Sequence, residues 1–178
     1  TRQEMWCMST VSVFIDDSDD YLGIIIGNEF VIGSRLVRPI KRLVGKTVHM
    51  KELGKNLKLH VARRFTEISC KLSESNDLRL ICDRRDKVLA WLDVFIENSV
   101  REKTEVPTFY IDRGLEVLLR ERIHPFYFRF LTIYIDKDKT LCADILAWLN
   151  LRRARNKFIW SKIATHIEEI ESASEEST

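Results

Sequence analysis

The chain predicts an α/β fold in which a mixed sheet is covered by helices on both faces. Three observations carry that expectation. The run Leu22-Gly-Ile-Ile-Ile26 is too continuously apolar for a strand with one face in water, so its sheet must be covered twice. After residue 56, short apolar segments alternate with longer stretches of helical period, the pattern of β/α units. With 178 residues and 45% hydrophobic content, the chain supports one sizeable core, expected as a single domain over residues 8–171.

The opening third reads as an antiparallel three-stranded meander: Val11 to Asp16, Tyr21 to Gly27 and Glu29 to Gly33, reversing at an acidic turn and at Gly27-Asn28. Leu57, Val61, Phe65, Ile68 and Leu72 recur at spacings of three and four, which predicts a helix from Asn56 to Leu72. Leu78 to Cys82 reads as a short buried strand. Val88, Leu92, Phe95, Ile96 and Val100 mark a second helix, and Pro107 precedes a strand over Thr108 to Ile111. A shorter helix from Leu115 to Arg122 ends near His124-Pro125, and Phe128 to Ile135 reads as an extended, aromatic-rich run. Two helices follow, from Thr140 to Arg153 and from Asn156 to Ile170. The stretch from Ser172 to Thr178 reads as an acidic, disordered tail.

The net charge of +2 conceals an asymmetry: between Arg35 and Arg64 there are ten Lys or Arg residues against Glu52 alone. That segment either meets a polyanion through phosphate contacts or is an ordinary solvated surface. No apolar run approaches the roughly 18 to 20 residues needed to cross a bilayer, and no secretory h-region opens the chain, so a cytoplasmic protein without membrane contact is expected. Cys7, Cys70, Cys82 and Cys142 form no C-x-x-C pair and read as reduced thiols. His49, His60, His124 and His166 lack the spacing of a zinc motif, which leaves carboxylates as the better ligand candidates.

Those carboxylates stand in unusual places. Val11-Ser-Val-Phe-Ile15 delivers Asp16-Asp17-Ser18-Asp19-Asp20 at a strand tip, Phe109-Tyr-Ile-Asp112 repeats the arrangement, and Asp144 interrupts the apolar run Cys142 to Ala147. Separated acidic groups at the ends or inner faces of regular elements suit a divalent metal, Mg²⁺ or Mn²⁺. Each has an ordinary alternative. Asp16 ligates metal or ends its strand in an Asx-type turn. Asp112 ligates or caps the following helix. Asp144, amid apolar neighbours, needs either a metal or a basic partner such as Arg152. Glu52 ligates or is a salt-bridged surface residue.

The order of elements resembles the ribonuclease-H-like fold, whose metal-binding carboxylates begin on the first strand. The motifs are similar to those of a widespread, poorly characterised family of ribonuclease-H-like domains. That family has a first-strand D-E-S-G-D, a later H-x-x-E-L, a strand ending D-R and a closing helix with L-Q-x-A-D. The corresponding residues are Asp16-Asp17-Ser18-Asp19-Asp20, His49-Met50-Lys51-Glu52-Leu53, Asp112-Arg113 and Thr140-Leu141-Cys142-Ala143-Asp144. Asp17 stands where the family has Glu, Asp19 where it has Gly, and Cys142 near its Gln. The resemblance implies a metal-dependent nuclease or phosphodiesterase acting by two-metal hydrolysis. Asp16 would bridge, with Glu52, Asp112 and Asp144 completing the catalytic ligand set.

Arg113 and the cluster Arg152, Arg153, Arg155 are the candidate nucleic-acid contacts, DNA and RNA being equally open. Trp148 and Trp160 stack on bases or belong to the core. Two other readings stand beside the nuclease. One is a catalytically silent module of the same fold that binds nucleic acid or a protein partner. The other is an acidic protein-interaction surface with the tail as docking element.

Overall fold

The computed structural model describes residues 11–102 and 106–171. Cys7 and the expected tail from Ser172 lie outside them. The architecture is α/β, a five-stranded mixed sheet in the order β3-β2-β1-β4-β5 flanked by helices, consistent with a ribonuclease-H-like arrangement. The strands are β1 (Val11–Ser18), β2 (Tyr21–Asn28), β3 (Leu78–Arg84), β4 (Thr108–Ile111) and β5 (Thr132–Ile135). β2 is antiparallel to both β1 and β3, whereas β4 is parallel to both β1 and β5.

One element of the expected meander is different. Glu29 to Gly33 is helical, and the third antiparallel strand is β3. The Asn28 side chain accepts hydrogen bonds from the backbone N–H of Phe30 and Val31, at 2.9 and 3.2 Å, and so starts helix α1 (Glu29–Ile32). A π turn (Gly33–Val37) carries the chain into α2 (Arg38–Val44). Ile32, Leu36, Ile40 and Val44, four residues apart, bury the inner side of this stretch. A short 3₁₀ turn (Met50–Glu52) then leads to α3 (Lys55–Glu74).

The remaining helices are α4 (Arg85–Arg101), α5 (Arg113–Arg122), α6 (Pro125–Phe128), α7 (Lys137–Leu151) and α8 (Lys157–Ala164). The extended run expected from Phe128 begins only at Thr132. His124 Nδ1 accepts from the Phe126 N–H and Pro125 occupies the first turn, which makes α6 helical. The final helix is shorter than expected, because beyond α8 the chain turns to lie along β3, with a parallel bridge from Ile167 to Leu80.

Side chains alternate across β1: Val13 and Ile15 face one core with α4 and α5, while Phe14 faces the other with α7, α3 and α8. Both faces are thus covered, as the apolar β2 run requires. Helix α7 is buried from Thr140 to Asn150 and packs on β1 and β2. Gly23 makes that packing possible. A Cβ there would stand 2.5 Å from the Ala143 carbonyl and 3.1 Å from the Ala147 nitrogen. Among the described residues, no helix is long and apolar enough to cross a membrane, and Cys70, Cys82 and Cys142 are free thiols.

Candidate metal centre

Strand alternation turns Asp16 to the α7 side of the sheet, beside its register partner Gly23. The close approach that Gly23 allows brings Asp144, next to Ala143 on α7, over the same point. The carboxylates are 2% and 6% exposed. A third group joins them. The Met50 N–H donates to Asp144 Oδ2 at 2.7 Å, fixing the 3₁₀ turn against α7 and carrying His49 to the cluster. One ligand atom each from Asp16, His49 and Asp144 lie within 4.8 Å of one another.

These three border a cleft of about 400 Å³ whose wall also includes Asp17, Lys51, Arg85, Asp112 and Trp148. Burial, then the charges of Asp144, Asp17 and Asp112, push the Asp16 carboxyl up to about 9, although the Asp17 N–H donates to it at 2.8 Å. Burial likewise raises Asp144 to about 6, against the pull of the Met50 N–H, His49 and Lys51. Burial raises Asp17 too, opposed by Arg85, whose guanidinium holds its carboxylate at 2.6 Å. Arg85 also donates to the Asp19 carbonyl at 2.8 Å and so ties the β1–β2 turn to the start of α4. In that turn Asp19 has φ 51, in the left-handed region.

Of the four carboxylates expected from sequence, Asp16 and Asp144 meet. Asp112 borders the same cleft and also caps α5, accepting from the Arg113 N–H at 2.9 Å. Glu52 is exposed and is not in the cleft wall. His49, the first residue of the same His-x-x-Glu-Leu segment, stands in the cluster instead. Its only sequence signal is that motif, because the zinc-spacing criterion does not register a ligand brought in by tertiary contact. Arg85 has no sequence signal that marks it as a site residue.

The candidate phosphate contacts divide as well. Arg152 and Arg155 line a large groove that begins at Trp148. Arg153 instead donates to the Tyr21 hydroxyl at 2.7 Å and to Asn150, and Arg113 is exposed and lines neither groove nor cleft. Trp148 is largely buried between groove and cleft, and Trp160 packs half-buried on the core. No protein family model, curated protein or solved structure matches the chain.

Proposed function

We propose that this protein is a metal-dependent phosphodiesterase acting on nucleic acid, with Asp16, Asp144 and His49 as the core of its metal site. The observation that carries the reading is the convergence of two buried carboxylates and an imidazole from β1, α7 and the intervening loop. Two acids of raised proton affinity face each other there, and a cation is the partner that such a pair favours once ionised. The donor set fits a divalent ion. Its imidazole favours Mn²⁺ over the all-oxygen preference of Mg²⁺.

Such an ion supplies Lewis-acid polarisation of a phosphoryl oxygen and an activated water. The chain's own groups hold and orient. Met50 fixes the Asp144 carboxylate, the Asp17 N–H fixes that of Asp16, and Arg85 keeps Asp17 turned to the cleft. Asp17 and Asp112 border the same space as candidates for a second ion.

The test is calorimetric titration of Mn²⁺ into wild type and Asp16→Asn, with thermal unfolding as folding control and nuclease assays on single- and double-stranded substrates. Saturable binding lost in a folded variant, together with chelator-sensitive cleavage, supports the reading. Nucleic-acid binding that ignores both chelator and the substitution, with no cleavage, replaces it by the catalytically silent module.

A further inference from the structure

Beside the acidic cleft lies an open groove of about 1030 Å³, walled by the beginning of α3 and by the segment from the end of α7 into α8. Its charge is of one sign. Lys55, Lys58, Arg63, Arg152, Arg155 and Lys157 line it, with no acidic residue in its wall. Among the described residues none of these six makes an ion pair, whereas Arg64, next to Arg63, is paired with Glu67. Neither α3 nor α8 has a side-chain cap where it begins at this groove. Phe158 stands in the same wall with 87% of its surface exposed.

We infer that this groove holds single-stranded nucleic acid, its phosphates on the six cations and a base stacked on Phe158. Unpaired cations account for attraction to any polyanion. The exposed ring decides the class, because an aromatic platform is useful to a strand whose base faces are free, and a duplex keeps those faces stacked on one another. Position links the groove to the cleft. Trp148 lines both. Asp144 and Trp148 on α7 and Arg152 at its C-cap succeed one another at four-residue spacing, so Arg152 lies eight residues, roughly 12 Å, from Asp144. As a statement about substrate class, the inference rests on the phosphodiesterase reading; as a statement about binding, it is tested apart from that reading.

Fluorescence anisotropy in EDTA measures binding of labelled oligothymidylate, oligouridylate and a duplex of equal length to the full chain. Wild type is expected to bind at least one of the two single strands about tenfold more tightly than duplex. Phe158→Ala, at an exposed position, should lose about tenfold for that strand with unchanged melting temperature. Lys55→Ala/Arg155→Ala should lower the slope of log affinity against log salt by about 1.4, roughly 0.7 for each phosphate no longer neutralised. Equal binding of duplex and both single strands, or wild-type affinity in Phe158→Ala, overturns the inference. If binding behaves as expected but wild type with Mn²⁺ leaves the strand intact, the groove stands and the phosphodiesterase reading falls. Mn²⁺-dependent cleavage that is untouched in Phe158→Ala and Lys55→Ala/Arg155→Ala keeps the reaction and removes the groove.

Discussion

Asp16 governs the behaviour of the metal-free protein because its carboxyl is buried against other acids. It titrates near 3.8 when exposed and near 9 in the fold, so between those values the folded chain holds a proton that the unfolded chain has released. The stability this group contributes is therefore fully present below about pH 4 and is lost as the pH rises through about 9. Asp16→Asn keeps the shape and an oxygen acceptor for the Asp17 N–H but carries no charge. In EDTA at pH 8 it should be more stable than wild type by about 2 kcal/mol, less than the full cost of a buried charge because the site opens on the cleft. At about pH 4 and below the two should nearly coincide. Urea melts at both pH values decide the matter, and parallel pH dependences would assign the effect to another group. The acids themselves were legible in the sequence, since a carboxylate within an apolar run asks for a partner. His49 was not. Its place depends on the hydrogen bond of Met50 with Asp144, residues separated by 94 positions, and no local spacing encodes that.

Elements with a clear signal were readable for a physical reason: α3 and α4 each bury a repeating face, α7 is apolar almost throughout, and β4 is preceded by a proline. The readings that failed involve shared signals. Gly27-Asn28 suits a hairpin turn, yet an Asn before Glu-Phe-Val also caps a helix, and the four-residue spacing of Ile32, Leu36, Ile40 and Val44 favours the helix. Phe128 to Leu131 reads as extended because aromatic residues favour strands, but the cap at His124 and the proline after it set the local conformation. Gly23 shows how one element positions another. Any side chain there meets backbone atoms of α7 rather than a movable side chain, so Gly23→Ala must push the helix off β2 opposite Asp16. The expected cost is about 1–3 kcal/mol, as for an overpacked core, together with weaker Mn²⁺ binding as Asp144 moves away from Asp16. Urea unfolding and calorimetry read these separately. Unchanged values in both would mean that α7 slides freely on the sheet.

At the scale of the whole molecule, the candidate site joins parts of the chain that are far apart in sequence. Asp16 comes from the central strand β1, His49 from the loop before α3, Asp144 from α7 within one core, and Asp112 from the residue after β4. An ion bound across these elements exists only in the folded state, so its binding free energy adds to global stability. Free Mn²⁺ at 100 times its dissociation constant should contribute about 2.7 kcal/mol. For a chain of this length that corresponds to a rise in Tm of roughly 5–10 °C. Protons compete for the same oxygens, Asp16 keeping its proton up to about 9 and Asp144 up to about 6. At a fixed Mn²⁺ concentration the rise should therefore be larger at pH 8 than at pH 6, where both acids are partly or wholly protonated. His49→Gln should reduce the Mn²⁺ effect more than the Mg²⁺ effect, because the imidazole is the ligand that distinguishes the two ions. Scanning calorimetry over pH, metal and these variants measures all three trends. A metal-induced rise that is equal at both pH values and survives Asp16→Asn and His49→Gln would locate the ion elsewhere on the protein.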